Sequence, residues 1–417
     1  MLMGCIADDL TGATDLGVNL VREGLSVVQV NGVPQATTLP PADAVVVALK
    51  SRTVDAREAV AQSLAALAWL RGQGAERIYF KYCSTFDSTP QGNIGPVTEA
   101  LQAALGGRIV PSTPAYPRNQ RTVYLGHLFV GDVLLSESGM RQHPLTPMTD
   151  ANLVRVLAAQ SRSPVGLVAC ADVEAGAAAV RGRLAELEAS GCGHAIVDAT
   201  RDEHLVAAAE AILDLPLAAG GAGLALGLAR RLAHRALPGS KAWTSPPAAA
   251  PVAWLAGSCS QATLGQIAAV RDSVTSFQID PFELAADPGA GARLARLAVA
   301  ALGDRPVLVY ATAAANALAA AQREIGVERS AWLVEDAFRQ LAIALAAAGV
   351  RSFVVAGGET SGAVVEALGV RALAIGPEID PGVPWTLAVG GEPFWLALKS
   401  GNFGSRDFFA KATEMLQ

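Results

Sequence analysis

The sequence predicts an α/β protein of two domains, each with a mostly parallel sheet flanked by helices. Short apolar runs alternate with alanine-rich stretches of helical periodicity, which is typical of strand–helix–strand units. The chain of 417 residues is long enough for two or three domains. A segment at 237–251 is rich in proline, serine and alanine and separates two such series. We therefore predict a domain at residues 1–240 and a second at residues 250–417.

In the first domain, a strand is predicted wherever a short apolar run lies between turn signals, and a helix wherever apolar residues recur with helical spacing. In chain order we predict a strand at 4–7, a helix at 12–23, strands at 25–30 and 44–49, a helix at 56–70, a strand at 78–81, a helix at 94–105 and strands at 109–111 and 165–168, then a helix at 174–188, a strand at 194–197 and a helix at 202–213. Gly131 and Asp132 separate two apolar runs, 128–130 and 133–135, which indicates a hairpin.

The second domain follows the same logic after the predicted linker. We predict strands at 252–256, 274–279, 307–310, 352–356, 372–375 and 394–399, and helices from 261 onward and at 291–302, 334–348 and 362–368. Two domains of unequal size suggest a cleft between them, and small ligands commonly bind in such clefts. The active site is therefore expected in that cleft.

Composition excludes several classes of protein. Hydrophobic residues make up 51% and charged residues 17%, so the chain can bury large cores. The net charge of −6 argues against non-specific binding of nucleic acid. No uninterrupted apolar stretch reaches the roughly 20 residues of a membrane-spanning helix, and the start lacks a basic segment before an apolar run. Five scattered cysteines do not suit a disulfide framework, so a cytoplasmic location is expected.

The first candidate site follows the first predicted strand, where Asp8, Asp9, Thr11 and Gly12 precede a helix. In parallel sheets, ligands bind beyond the carboxyl ends of the strands. Two adjacent carboxylates repel each other, so we expect one of them to have a raised pKa or to bind a cation. The alternative is that Asp9 or Thr11 merely caps the helix, and capping by one of them is expected in either case.

A second predicted strand also ends in polar groups. Ser51 and Arg52 follow the strand at 44–49, and a guanidinium can bind a carboxylate through two parallel hydrogen bonds. An arginine in a loop is more often simply solvated.

No histidine pattern or cysteine spacing indicates a metal site, and metal ligands are left open.

Lys81 ends the strand at 78–81 and begins a loop crowded with hydroxyl groups. Lysine is rare in this chain, with five lysines beside 27 arginines, so a lysine at a strand end is less readily explained as a random solvated charge. Ser84, Thr85 and Asp87 lie in the loop, which could hold a polyhydroxylated substrate with Lys81 as a point charge. The alternative is a polar turn with a helix cap at Asn93.

Three turns in the second domain are candidates for holding an anion. Residues 257–263 follow one strand and precede a helix, with Ser260 as an ordinary N-cap in the alternative interpretation. Residues 357–362 pass through two glycines into another helix, where backbone N–H groups and the helix dipole favour phosphate. Residues 399–404 form a glycine-containing turn after a strand that ends in lysine. Neither a G-x-x-x-x-G-K-[ST] loop nor a G-x-G-x-x-G fingerprint after a strand occurs.

Taken together, these motifs resemble the four-carbon acid sugar kinase family. The likeness covers residues 6–13, 81–96, 114–117, 357–362 and 399–404, in order along nearly the whole chain. Residues 81–89, 126–130, 143–150 and 376–385 are most similar to the subgroup that acts on 3-oxo-tetronate. Related threonate- and erythronate-type kinases tend to carry a basic residue where this chain has Gln91, which favours a different substrate subgroup.

The resemblance implies an N-terminal acid-sugar domain, a C-terminal nucleotide-binding domain and ATP-dependent phosphorylation of the 4-hydroxyl of 3-oxo-tetronate, with Mg²⁺ bridging the phosphates. It implies that ATP contacts Ser258, Gly357, Gly358, Glu359, Thr360 and Gly401. In the resulting hypothesis Asp9 is the base, with Asp8 as second candidate, and Lys81 neutralises developing charge. Arg52 binds the substrate carboxylate, and Ser51, Ser84, Thr85 and Asp87 are the other substrate-binding candidates.

Three alternatives remain at this point. A sister kinase would act on D-threonate or D-erythronate, and a binding protein would keep a kinase-like site without turnover. A nicotinamide-dependent dehydrogenase is disfavoured by the missing dinucleotide fingerprint. The expected partners are a small four-carbon sugar acid and ATP, with neither nucleic acid nor membrane, and a homo-oligomer is left open.

Overall fold

The structure is a computed structural model that describes residues 1–34, 39–143, 146–236, 243–247, 251–312 and 315–416. The chain divides into two compact units: unit 1 comprises Met1–Thr37 and Pro41–Ala242, and unit 2 comprises Thr38–Pro40 and Trp243–Gln417. The segment predicted as a linker lies largely outside the described residues. None of the described helices is long and apolar enough to cross a membrane.

Among the described residues, unit 1 has a large sheet of eight parallel strands and three further strands outside it. Its strands are β1 (Met3–Ala7), β2 (Val27–Asn31), β3 (Ala44–Ala48), β4 (Arg77–Lys81), β5 (Val110–Thr113), β6 (Arg121–Tyr124), β7 (His127–Val130), β8 (Val133–Leu134), β9 (Val165–Val168), β10 (His194–Val197) and β11 (Leu217–Gly220). The large sheet has the order β2-β3-β1-β4-β11-β5-β10-β9, and every adjacent pair in it is parallel. Strands buried on both faces are continuous apolar runs, and β1 and β3 are buried at every position.

In the described part of unit 1, eight α-helices accompany these strands. They are α1 (Leu10–Arg22), α2 (Ala56–Gly72), α3 (Ile94–Ala104), α4 (Leu153–Ala158), α5 (Cys170–Glu174), α6 (Ala177–Ala189), α7 (Asp202–Ala211) and α8 (Ala222–Leu232). The predicted hairpin is confirmed by the antiparallel pair of β7 and β8, and β6 extends it to a three-stranded sheet. β11 and α8 were not predicted, because their alanine, glycine and leucine residues carry neither a strand nor a helix signature.

Unit 2 has a mixed sheet. Its strands are β12 (Val252–Ala256), β13 (Thr275–Gln278), β14 (Val307–Tyr310), β15 (Ser352–Ala356), β16 (Ala372–Asp380), β17 (Val383–Val389) and β18 (Trp395–Lys399). The order is β13-β14-β12-β15-β18-β17-β16, parallel from β13 to β18 and antiparallel from β18 to β16. Of the antiparallel part, β18 and the start of β16 were predicted, but β17 was missed, because glycine and proline residues interrupt the apolar pattern there.

The helices of unit 2 are α9 (Gln261–Val270), α10 (Pro281–Ala286), α11 (Ala290–Ala300), α12 (Ala315–Ile325), α13 (Val327–Ala347), α14 (Gly358–Ala367) and α15 (Phe408–Glu414). The core of this unit joins one face of the sheet to α11, α13 and α14, with Phe338, Leu341 and Leu345 of α13 fully buried. Such burial stabilises by about 25 cal/mol per Å² of apolar surface. The predicted α/β class, with a mostly parallel sheet in each unit, is confirmed.

Candidate functional site

Three strand ends meet at one edge of the unit 1 sheet. Ala7, the last residue of β1, lies between Ala48 of β3 and Lys81 of β4 in the strand register. Beyond it, the Asp8 backbone N–H donates to the Lys81 carbonyl at 3.1 Å, and the Asp8 carbonyl accepts from the backbone of Ser51 at 3.0 Å and Arg52 at 3.2 Å. The polar groups predicted after three separate strands are therefore neighbours, as parallel strand ends require.

An ion pair joins Arg52 to both aspartates. Arg52 Nε donates to Asp8 Oδ2 at 3.0 Å, and Nη2 donates to Asp8 Oδ1 at 2.8 Å and to Asp9 Oδ1 at 2.7 Å. Arg52 Nη1 lies 3.9 Å from Asp87 Oδ2. This fork geometry is the strong, bidentate form of an arginine–carboxylate contact. It ties Arg52 to groups of the protein itself, a partnership that the sequence analysis did not predict.

The pKa of the Asp8 carboxyl is raised, as expected for one of the pair. Burial is the largest cause, and Arg52 opposes it by its charge and its hydrogen bonds, while repulsion from Asp9 adds a smaller upward push. The expectation of a raised pKa is confirmed, but its main cause is burial rather than repulsion. Burial would lower the pKa of Arg52, but the charges of Asp8 and Asp9 and the hydrogen bond to Asp8 raise it overall.

Asp9 is the more accessible of the two carboxylates. Its side chain is 29% exposed, against 7% for Asp8. Asp9 Oδ1 accepts from the Gly12 backbone N–H at 3.0 Å and so caps α1, which confirms the expected cap. The contacts to Gly12 and Arg52 both use Oδ1, and Oδ2 takes part in neither of them. Asp9 therefore combines a fixed orientation with an oxygen that can approach a ligand.

Lys81 is buried, with its Nζ donating to the Tyr82 carbonyl at 2.9 Å. A Cβ placed on Gly12 would lie 2.9 Å from Lys81 Nζ and 2.2 Å from Asp9 Oδ1. Only a glycine allows the start of α1 to approach the ammonium and the carboxylate so closely. A buried cation and a helix N-terminus thus make one positive region at this edge.

The loop after Lys81 holds an unusual backbone. Phe86 has a φ of +66° and Asp87 a φ of +39°, backbone conformations that residues other than glycine rarely adopt. Thr85 Oγ1 donates to Asp87 Oδ1 at 2.6 Å and lies 3.0 Å from Cys83 Sγ. Backbone strain of this kind is kept where the surroundings enforce it, often at ligand sites. Ser84 lies in the same loop and is half-buried.

Asn93 does not act as the helix cap that the alternative interpretation of this loop proposed. It stands at the N-cap position of α3, but its side chain makes no cap hydrogen bond. Its Nδ2 instead donates to the carbonyls of Ser51 at 2.7 Å, Arg52 at 3.1 Å and Val54 at 3.0 Å. The buried amide therefore holds the backbone that carries Arg52. Ser51 is itself buried. Its backbone N–H donates to the Asp8 carbonyl, and its own carbonyl accepts from Asn93.

One further cluster contains groups that can ligate metals. The ligand atoms of Cys170, Glu174 and His204 lie within 4.8 Å of one another. The Thr200 backbone N–H donates to His204 Nδ1 at 3.3 Å, so the imidazole proton of the neutral ring stands on Nε2, which faces Glu174 Oε1 at 3.9 Å. Arg201 Nη2 lies 3.6 Å from the same Glu174 oxygen. These contacts favour a structural role for the cluster.

Unit 2 repeats the arrangement of strand ends with small residues. Ala356 of β15 lies in register between Ala256 of β12 and Lys399 of β18. The backbone N–H groups of Gly257 and Ser258 donate to the Ala356 carbonyl, and that of Gly357 donates to the Lys399 carbonyl at 2.9 Å. The three turns predicted to hold an anion are therefore adjacent.

These turns approach each other closely around Ser258. A Cβ on Gly401 would lie 2.1 Å from Ser258 Oγ, so a larger residue would force one of the two turns to move. Ser260 caps α9 through the Thr263 backbone N–H, as the alternative interpretation held, and its Oγ also donates to the Gly401 carbonyl at 2.6 Å. Thr312, which the sequence analysis did not single out, donates to the Ser258 carbonyl at 2.8 Å.

The start of α14 completes this edge of unit 2. Gly357 is its N-cap residue, with Gly358 and Glu359 exposed in the first turn. Thr360 is buried, and its Oγ1 would lie 2.1 Å from a Cβ on Gly257. The first N–H groups of a helix lack partners within it, and the helix dipole favours negative charge there. The arrangement is suited to a phosphate group.

Comparison with known proteins finds two domain families along the chain. Residues 3–228 match the family model of a sugar-binding N-terminal domain, and residues 253–409 match that of a nucleotide-binding C-terminal domain. The chain is 55% identical to a protein of Pseudomonas fluorescens and 54% identical to one of Burkholderia multivorans, both named 3-oxo-tetronate kinase. Each match covers 100% of this chain and 97% of the relative.

A solved structure is similar over the same extent. It is that of a Salmonella typhimurium LT2 protein provisionally described as a tRNA synthase, with 44% identity and a TM-score of 0.93, and the match covers 100% of this chain and 99% of that one. Full-length identity of this order, with both domain models in the same chain, shows common descent. The chain belongs to the four-carbon acid sugar kinase family.

Proposed function

We propose that this protein transfers the γ-phosphoryl group of ATP to the 4-hydroxyl of 3-oxo-tetronate. The observation that carries the proposal is identity of 53–55% over the full chain to four proteins named 3-oxo-tetronate kinase. The geometry of unit 1 supports an anionic, hydroxylated substrate, because a guanidinium and a buried ammonium that attract an anionic group lie at the same sheet edge as carboxylates that accept hydrogen bonds from hydroxyl groups.

In unit 1, Asp9 is the proposed base and Asp8 the second candidate. The accessible Asp9 carboxylate would accept the proton of the 4-hydroxyl while the oxygen of that hydroxyl bonds to the γ-phosphorus. The bond from that phosphorus to the β–γ bridging oxygen breaks at the same time, and ADP leaves. Asp8 is the weaker candidate, because both of its oxygens are already held by Arg52.

Arg52 and Lys81 are the proposed charge-bearing partners of the substrate. Arg52 would reach the substrate carboxylate through Nη1, whose only contact among the described residues is the long one to Asp87. Lys81 would neutralise charge that develops during transfer. The remaining substrate-binding candidates are Ser51, Ser84, Thr85 and Asp87.

In unit 2, the nucleotide phosphates would lie against the turns already described. The proposed contacts are those of Ser258, Gly357, Gly358, Glu359, Thr360 and Gly401. Phosphoryl transfer depends mainly on positioning and charge stabilisation, and Mg²⁺ bound to the phosphates supplies part of that stabilisation. Glu359 is an exposed carboxylate at the start of α14 and is the type of ligand that Mg²⁺ accepts.

A substrate panel tests the proposal. Purified protein would be given ATP, Mg²⁺ and one of 3-oxo-tetronate, D-threonate, D-erythronate or a neutral four-carbon polyol, and ADP release would be measured. We expect the highest kcat/KM with 3-oxo-tetronate. Faster turnover of D-threonate or D-erythronate would assign the protein to a sister activity. No ADP above the acid-free background with any acid would leave a binding protein without turnover.

The cytoplasmic location, the oligomeric state and the cleft between the domains stay predictions. None of them is needed for the substrate panel, which uses the full chain in solution.

A further inference from the structure

Lys399, which the proposed function leaves without a role, is buried at the end of β18. Its residue surface is 2% exposed. Its Nζ donates to Thr263 Oγ1 at 3.0 Å, to the Gly401 carbonyl at 3.0 Å and to the Ser400 carbonyl at 3.2 Å. The ammonium thus lies beneath the turn that carries Gly401.

No carboxylate pairs with this ammonium in the part of the chain that the structure describes. The groups that face it are Thr263 of α9, the carbonyls of the 400–401 turn and the ring of Phe408 in α15, whose centroid is 5.9 Å from Nζ. All three are uncharged, and burial alone lowers the pKa of Lys399 to about 8. The other lysine of this region, Lys411, is paired with Asp380.

The carbonyl groups of the turn are drawn inward. The Gly401 carbonyl accepts from Ser260 Oγ at 2.6 Å, from Thr263 Oγ1 at 2.9 Å and from Lys399. Gln266 Nε2 gathers three more carbonyls, those of Phe403, Gly404 and Ser405, at 2.9 to 3.1 Å. Carbonyl oxygens repel phosphate, so a turn whose carbonyls are bound from beneath is receptive to an anion on its other side.

We propose that Lys399 is a positioning residue for the nucleotide phosphates, which binds the carbonyls of the 400–401 turn from beneath and adds a positive charge below it. The inference rests on the proposed function, because it needs a nucleotide at Gly401. A buried charge without an acidic partner destabilises the fold, and such groups are kept where they act on a ligand.

The expected pH dependence follows from the charge. Nucleotide binds more tightly when Lys399 is protonated, so the dissociation constant of MgATP should rise as the pH increases through about 8. The pH dependence of folding stability has the opposite sign, because stability should increase as the pH rises. The pKa of Lys399 is lower in the folded chain than its usual 10.5, so folding is penalised below pH 8 and the penalty fades between pH 8 and about 10.5.

The test is an equilibrium titration of the full chain with MgATP by calorimetry between pH 7.5 and 9.5. We expect the wild-type dissociation constant to rise with pH. Lys399→Met should bind about tenfold or more weakly at pH 7.5, with little further change at higher pH. At saturating ATP its kcat should stay close to wild type while KM for ATP rises. Lys411→Met is the control, and its titration should keep the wild-type pH dependence.

Several outcomes separate this inference from the proposed function. If wild type binds MgATP and Lys399→Met binds equally tightly at pH 7.5, the positioning role is wrong while the proposed function stands. If wild type binds no MgATP, the proposed function fails and this inference fails with it. Should Lys399→Met not fold, the wild-type series decides alone, and a dissociation constant that is unchanged from pH 7.5 to 9.5 overturns the inference.

Discussion

Arg52 holds Asp8 through two parallel hydrogen bonds, Nε to Oδ2 at 3.0 Å and Nη2 to Oδ1 at 2.8 Å. The two residues are 44 positions apart in the chain, and each belongs to the loop after a different strand. The pair makes the orientation of one carboxylate depend on the presence of one arginine. The same Nη2 also donates to Asp9, so Arg52 orients both carboxylates.

Removal of Arg52 should affect both stability and substrate binding. Arg52→Ala leaves Asp8 as a buried carboxylate without its partner, which should lower the free energy of unfolding by about 3 kcal/mol. KM for the acid substrate should rise tenfold or more through the loss of a charge-assisted contact. Urea unfolding and steady-state kinetics measure the two effects. Arg57→Ala, at an exposed position of α2, is the control and should change neither. An equal loss of activity with a neutral polyol would contradict a carboxylate contact.

Asp9→Asn should separate catalysis from nucleotide binding. The amide keeps the size of the side chain and can still cap α1 but cannot take up the proton of the 4-hydroxyl. We expect kcat to fall at least about a hundredfold, since general base catalysis typically contributes 10²–10⁴-fold. The dissociation constant for MgATP should stay within about twofold of wild type. A variant that keeps near-native kcat would show that Asp9 is not the base.

Gly12→Ala tests the close approach at the start of α1. The new Cβ would lie 2.2 Å from Asp9 Oδ1, so the cap must break or the helix must shift. Loss of an N-cap costs about 1 kcal/mol, and kcat should fall because Asp9 loses its orientation. Gly182→Ala is the matched control. It lies within α6 with nothing within 4 Å of the new Cβ, and it should raise stability by roughly 0.5–1 kcal/mol.

Asn93→Ala should displace the backbone that carries Arg52. One buried and two partly buried carbonyls lose their shared donor, so the free energy of unfolding should fall by about 2 kcal/mol. We also expect kcat/KM for the acid substrate to fall while MgATP affinity is unchanged. Asn93→Asp keeps the shape but places a carboxylate against the same carbonyls, and it should be no better than alanine. Wild-type kinetics in both variants would exclude a positioning role.

Cys83 should be unreactive in the folded protein despite its place beside the candidate site. Burial is the main cause that raises its thiol pKa to about 11, with the negative charge of Asp87 adding to the shift. At pH 8 only about one molecule in a thousand would carry the thiolate, which is the reactive form. Iodoacetamide labelling followed by mass spectrometry should leave Cys83 unmodified until urea unfolds the chain. Labelling of Cys83 as rapid in the native protein as in urea would contradict this.

Strand positions could largely be predicted from the pattern of apolar runs. The predicted strands 165–168, 194–197, 252–256, 307–310 and 352–356 agree with the structure at both ends. Each is a short apolar run bounded by turn residues, and a strand buried on both faces needs such a run. The long antiparallel pair of β16 and β17 was only partly anticipated, because glycine and proline residues interrupt its pattern.

The amino-acid sequence alone determined which polar and glycine residues stand directly after the buried strands, since apolar periodicity marks where each strand ends. Only the tertiary structure decided what those side chains contact. Arg52 lies on the two aspartates, Asn93 binds backbone instead of capping a helix, and Lys399 lies beneath its turn. These hydrogen bonds join groups that are close in space, most of them distant along the chain, and the local sequence does not show which groups become neighbours after folding.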